Sequence, residues 1–229
     1  ILWAGNTVAT EHKKNQPMFA PYPSDQTFYM YHNDFFTYNS GDWTITTTEA
    51  GTGSASEAVT SQAGGALLLT NAAGDNDLDF LQLKGEGFKL STSKKAYFSA
   101  RFKVSDVDQS DFVMGLGITD TTPLDTTDGV FFISADGDAG LDFLVEKDNS
   151  ATTTEDVATM ADDTFITVTW FIDPDASKVF YSVNNAAPVG VVNTNLPDDE
   201  ELTVSFGIQN GEAAAKTMTI DYVVAAVER

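Results

Sequence analysis

Carboxylates are the first place to look for chemistry, because Asp and Glu supply 34 of the 229 residues against 12 Lys and Arg. A glycoside hydrolase sets two carboxyl groups about 5–5.5 Å apart for retention, or about 6.5–9.5 Å apart for inversion. On a β-sandwich such a pair is carried by one strand, in the pattern Glu-x-Asp-x-x-Glu. The nearest approach is Glu146-Lys147-Asp148, with Ala151 in the third place. A chain this acidic meets two of three positions by chance, so no enzyme is expected.

Calcium is the second candidate. Asp75, Asp77, Asp79 and Glu86 fall at the first, third, fifth and twelfth places of an EF-hand-like loop. The sixth place, where the sharp turn needs glycine, is Phe80. Leu78, Phe80 and Gln82 read instead as one side of a strand, with solvated acids on the loop entering it. Asp136 and Asp138, with Asp125 and Asp128 nearby in sequence, form a similarly weak cluster. No metal site and no cofactor are expected.

Other chemistries have less support. There is no cysteine and no Gly-x-Ser-x-Gly, and both histidines, His12 and His32, lie in an irregular N-terminal stretch. Gly115-Leu116-Gly117 sits inside a strand pattern rather than in a phosphate-binding loop. Those two glycines leave one strand face bare, which invites close approach of a backbone or a ligand. Trp43 and Trp170 stand at alternating positions and read as core, whereas no strand pattern accounts for Trp3.

The elements behind these residues are strands. In residues 164–192, Ile166, Val168, Trp170 and Ile172 share one face, and Phe165, Thr167, Thr169 and Phe171 share the other. That period of two, built from β-branched and aromatic residues, suits a pleated surface buried on at least one side. Asp173-Pro174-Asp175 ends the run, Val179, Tyr181 and Val183 resume it, and Asn184-Asn185 tolerate a tight hairpin. The same alternation recurs at 97–104, 112–119, 202–209 and 218–224. Roughly a dozen short strands and almost no helix predict an all-β, two-sheet antiparallel sandwich in one domain, residues 34–229.

Residues 1–33 differ. They hold Pro17, Pro21 and Pro23 and six aromatics (Trp3, Phe19, Tyr22, Phe28, Tyr29 and Tyr31), with no sustained period. They read as an extended arm without a fold of its own, laid on its own body or on a neighbouring subunit. Their two acids and two lysines cancel, so residues 34–229 carry 32 acids and 10 bases and the whole net charge of −22. Such a body repels nucleic-acid phosphates and anionic membranes. No apolar run approaches the ~20 residues of a membrane span, and the start resembles no signal peptide.

Four segments carry a resemblance: Thr164–Val192, NLPDDEELTVSFGIQNGEAAAKTMTIDYVVAA (Asn195–Ala226), DFFTYNSGDWTITTT (Asp34–Thr48) and DFVMGLGITDTTPLD (Asp111–Asp125). Together they resemble a family of virion structural proteins from tailed bacteriophages. The resemblance implies a concanavalin-A-type or jelly-roll sandwich, no catalytic residues, and a role like that of head decoration (cement) proteins. It implies a place on the capsid exterior, in multiple copies or as a homo-oligomer, against the major capsid protein or other virion proteins. A carbohydrate-binding module displayed on the virion is the alternative. With an anionic body, adhesion falls to the arm: each aromatic buries ~150–250 Å², at ~25 cal/mol per Å² before ordering costs.

Overall fold

The computed structural model describes residues 27–229. Among them lie fifteen strands in two antiparallel sheets. The first sheet runs, in spatial order, β13 (Val189–Val192), β12 (Lys178–Val183), β11 (Ile166–Asp173), β6 (Ala96–Val104), β15 (Thr217–Glu228), β4 (Leu67–Thr70) and β3 (Ser56–Val59). A further strand, β1 (Phe28–Asn33), lies along the C-terminal half of β15, on the flank that β4 occupies further along. The second sheet runs β10 (Ser150–Thr159), β9 (Gly140–Lys147), β8 (Gly129–Ser134), β7 (Ser110–Gly117), β14 (Thr203–Asn210), β5 (Leu78–Leu83) and β2 (Trp43–Thr48).

The predicted alternation is what builds the core between the sheets. Ile166, Val168, Trp170 and Ile172 of β11 all turn inward, and Trp170 stacks on Phe98 with ring centroids 5.9 Å apart. From the other sheet Phe112, Met114 and Leu116 of β7 and Val204, Phe206 and Ile208 of β14 meet them. Phe102 and Phe112 close the gap edge to face at 5.5 Å. The turns use the expected chemistry. Asp173 Oδ1 accepts the Asp175 N–H, and Asn184 and Asn185 both take positive φ in the β12–β13 turn. Trp43 and Trp170 are both core residues, at 3% and 0% exposure.

Two strands depart from the expectation. Residues 28–33, assigned to the irregular arm, form β1 in register with β15, Phe28 opposite Glu228 and Asn33 opposite Val223. Tyr29 and Tyr31 turn inward: Tyr29 stacks on Phe88 at 6.0 Å, and Tyr31 meets Trp43 edge-on at 6.3 Å. A tyrosine carries both an apolar ring and a polar tip, so the run FYMYHN conceals its period of two. The body therefore begins before residue 34. The second departure is β10, ten residues (SATTTEDVAT) at the margin of its sheet. Thr153, Glu155 and Asp156 are exposed and the half-buried alternate places are held by Thr152 and Thr154, so no apolar alternation marks it.

Candidate functional site

The register of the second sheet brings scattered acids to one place on its outer face. Asp142, Leu144 and Glu146 alternate along β9, Ile133 of β8 stands opposite Asp142, and Gly129 stands opposite Glu146. Phe131 and Ile133 lie beside Gly115 and Val113 of β7. The loop after β7 folds over this surface. Gln82, buried on β5, holds it down by donating to the Ile118 carbonyl at 2.8 Å and accepting the Asp120 N–H at 3.0 Å. Thr126 Oγ1 donates to the Pro123 carbonyl within the same loop. The result is a cleft of about 330 Å³ with an apolar floor (Val113, Phe131, Ile133, Leu144) and the carboxylates of Asp111, Asp125, Asp142 and Glu146 around it.

Two of the four carboxylates already act as backbone braces. Asp111 Oδ1 accepts the Asp136 N–H at 2.9 Å, fixing the β8–β9 turn. Asp142 Oδ1 accepts the Asp156 N–H at 2.8 Å, where β10 breaks register and Asp156 takes a φ of 54°. Below the loop, the buried Asp128 accepts the Asp148 N–H and the Thr127 hydroxyl. Glu146 is the perturbed group. Burial raises its pKa, and the negative charges of Asp125 and Asp128 add to the effect.

The glycines of β7 do not leave the sheet bare. The Phe131 ring lies flat across them: a Cβ on Gly115 would come 2.8 Å from its Cδ1, and one on Gly117 would come 2.3 Å from its Cζ. Phe80 covers Gly207 in the same manner, at 2.4 Å from a Cβ there. The close approach expected at Gly115 and Gly117 is therefore made within the sheet itself: at Gly115 the nearest atom to a Cβ is the Val130 carbonyl oxygen, at 2.1 Å, and at Gly117 it is the Phe131 ring.

The other acidic motifs come apart. Glu146 ends the outward row of β9, but Asp148 sits in the β9–β10 turn with a φ of 50°, and Ala151 lies opposite Glu146 on β10. The three positions of the hydrolase pattern thus occupy a strand, a turn and the neighbouring strand. Lys147 turns the other way and pairs with Asp198 and Asp199 at 2.6 and 3.0 Å. Of the calcium-like set, Asp77 is fully buried and accepts N–H groups from Ala50, Gly51 and Gly74 at 2.6, 3.0 and 2.7 Å. Those hydrogen bonds hold its carboxyl below the ordinary value. Asp79 faces the core side of β5, Asp75 is exposed, and Glu86 accepts the Thr119 N–H. No group of three His, Asp or Glu among the described residues could hold a metal ion.

Of the six aromatic contact candidates, Trp3, Phe19 and Tyr22 lie outside the described residues. Tyr29 and Tyr31 pack against the core of their own sandwich. Phe28 keeps the opposite face of β1, which it shares with Met30 and His32. Phe36, three residues after β1, is 71% exposed.

Two antiparallel sheets of this order, with almost no helix, define a lectin-like jelly-roll sandwich of the concanavalin-A type. No protein-family model and no curated protein matches the sequence. By structure, the chain is similar to a protein of unknown function from Shewanella oneidensis MR-1, with a TM-score of 0.63, 14% identity, and coverage of 88% of this chain and 87% of that one. It is similar also to an endo-1,3-beta-glucanase from Streptomyces sioyaensis, with a TM-score of 0.63, 14% identity, and coverage of 91% and 99%. Peanut lectin gives a TM-score of 0.55 at 13% identity, over 87% and 97% of the two chains. At these identities the likeness is one of fold.

Proposed function

We propose that this chain is a structural protein of a tailed-phage virion, a sandwich that coats the capsid exterior and is held there by its N-terminal residues. The observation that carries the reading is the separation of charge from apolar contact residues. Residues 1–26 contain Trp3, Phe19 and Tyr22 and no net charge, and they lead straight into β1, while the rest of the chain holds the whole −22. A body so charged gains nothing by approaching an acidic surface, so its adhesion has to come from apolar burial. Met30 and Phe36, exposed at 37% and 71%, extend the apolar contact set from the leading segment onto the body. The resemblance of residues 34–48, 111–125, 164–192 and 195–226 to phage virion proteins points the same way. The partners are the major capsid protein or other virion proteins, with many copies on each particle.

The test is occupancy on particles. Capsids stripped of this protein are mixed with the full chain or with a chain lacking residues 1–26, and bound copies are counted after sedimentation. Loss of binding by a truncated but folded chain is expected. Equal occupancy would overturn the attachment.

A second reading rests on the cleft. Its apolar floor and the carboxylates of Asp125 and Glu146 suit a hydroxyl-rich, uncharged or cationic ligand, a saccharide above all. Against it, Trp43 and Trp170 are in the core and Phe131 is 2% exposed, so none of the three offers a stacking platform. A glycan array with the wild-type chain and Glu146→Gln separates the readings. Saturable binding lost in the variant favours the lectin; an empty array leaves the cleft without a sugar. Catalysis is not part of either reading.

A further inference from the structure

Asp79 is fully buried, and neither of its carboxyl oxygens has a hydrogen-bond partner. It alternates with Leu78 and Phe80 along β5 and so shares the inner face with Leu81. Facing it from the opposite sheet is Glu57 of β3, which stands across from the inward-facing Leu69. Tyr38, from the segment before β2, donates its hydroxyl to Glu57 Oε2 at 3.3 Å.

An ionised carboxylate in the interior without a single donor would be severely penalised. A protonated one supplies its own donor, and the acceptor it faces is Glu57. The geometry points to Asp79 as a built-in proton-binding site, in which the bound proton is shared with Glu57 and clasps the edge strand β3 to β5 of the opposite sheet.

The surroundings offer no competing cation. On β5 itself, Asp77 is committed to three backbone N–H groups. From the segment after β2 comes Glu49, which accepts the Ala55 N–H at 2.6 Å. The positions paired with Asp79 on β14 and β2 are Ile208 and Thr47, neither of them ionisable. No lysine or arginine forms an ion pair with Glu49, Glu57, Asp77 or Asp79 among the described residues.

Burial first, then Glu57 and Glu49, push Asp79 up to about 8. Burial and Glu57 also raise Tyr38, which keeps its phenol neutral as a donor. The sign follows. The folded chain holds a proton on Asp79 that the unfolded chain releases near 3.8, so the clasp stabilises fully below that value. Its contribution declines as pH rises and is gone once the pH passes about 8. Above that point two carboxylates oppose each other where β3 meets the core, and β3 loosens first.

The decisive experiment is a carboxyl ¹³C NMR titration of the full chain, with unfolding followed at several pH values from about 6 to 9. The Asp79 carboxyl should titrate near 8. Its midpoint should fall in Glu57→Gln, and Asp79→Asn should flatten the loss of melting temperature across the window. An Asp79 resonance already at its ionised position near neutrality would overturn the site, as would an unchanged slope in Asp79→Asn. If the Asn variant does not fold, the wild-type titration and its shift in Glu57→Gln decide alone.

Discussion

Phe131 lies so close over Gly117 that a Cβ on the glycine would stand 2.3 Å from the ring's Cζ. The same ring would meet a Cβ on Gly129 at 2.0 Å, so glycines on two adjacent strands make room for one aromatic. With Leu78, Phe80 and Val113 it forms a second apolar cluster outside the main core, beneath the loop that walls the cleft.

Gly117→Ala should therefore destabilise the fold by about 1–3 kcal/mol, as overpacking does. Phe131→Ala should cost about 3–5 kcal/mol through lost burial and a cavity. The useful measurement is the double mutant in urea. Once the ring is gone the added methyl has space, so Gly117→Ala should be nearly silent in the Phe131→Ala background. Additive costs would mean that the glycine is required for some other reason.

How far the sequence discloses this depends on which side of each strand meets water. The β11–β12–β13 meander is legible because Ile166, Val168, Trp170 and Ile172 alternate with less buried residues and turn chemistry follows at Asp173–Asp175 and Asn184-Asn185. β10 is not legible, since threonines fill the half-buried places of its first half and a break in register precedes Ala158, so no alternation is sustained. β1 is hidden by tyrosines that fill inward positions. The cleft is hidden for a different reason: strand register brings Asp111, Asp142 and Glu146 together and the folded β7–β8 loop adds Asp125, and local spacing contains neither. Asp79 was within reach. Placing Leu78 and Phe80 on one side of a strand puts Asp79 beside Leu81 on the other, in the core.

Asp77 gives a prediction in the acid range. Its carboxylate gathers N–H groups from Ala50, Gly51 and Gly74, tying the loop after β2 to the loop before β5. The folded value lies below the ordinary 3.8. The stabilisation is therefore present above 3.8 and is lost as pH falls through the lower, folded value. Asp77→Asn should remove that acid-side slope and raise protease cleavage within residues 49–54 and 71–76 at neutral pH. Cleavage no faster than in the wild type would show that the loops hold without the carboxylate.

Truncation should show a sharp boundary between residues 26 and 34. A chain starting at residue 27 keeps β1 and the seats of Tyr29 and Tyr31 against Phe88 and Trp43. A chain starting at residue 34 strips β1 from β15 and uncovers core beneath both tyrosines. It also removes Tyr29's hydroxyl from Lys89, whose N–H donates to it at 3.2 Å. The first truncation should melt like the full chain, and the second should melt lower and aggregate through the bared flank of β15. Equal melting temperatures would show that β1 adds nothing to the sandwich.

Salt gives the last prediction, which separates apolar attachment from attachment by charge. If the body binds particles through its own acids, added salt screens the attraction and occupancy falls. If uncharged, aromatic residues do the gripping, salt instead screens the repulsion between neighbouring bodies, each carrying the −22. Occupancy on stripped capsids should then hold or rise as ionic strength increases, and the rise should be steepest at high coverage, where bodies crowd. Replacing Trp3, Phe19 and Tyr22 together with serine should abolish binding at every salt concentration while leaving the melting temperature unchanged. A steep fall in occupancy with salt would transfer the contact to the acidic faces of the sandwich, where a basic partner surface would have to meet them.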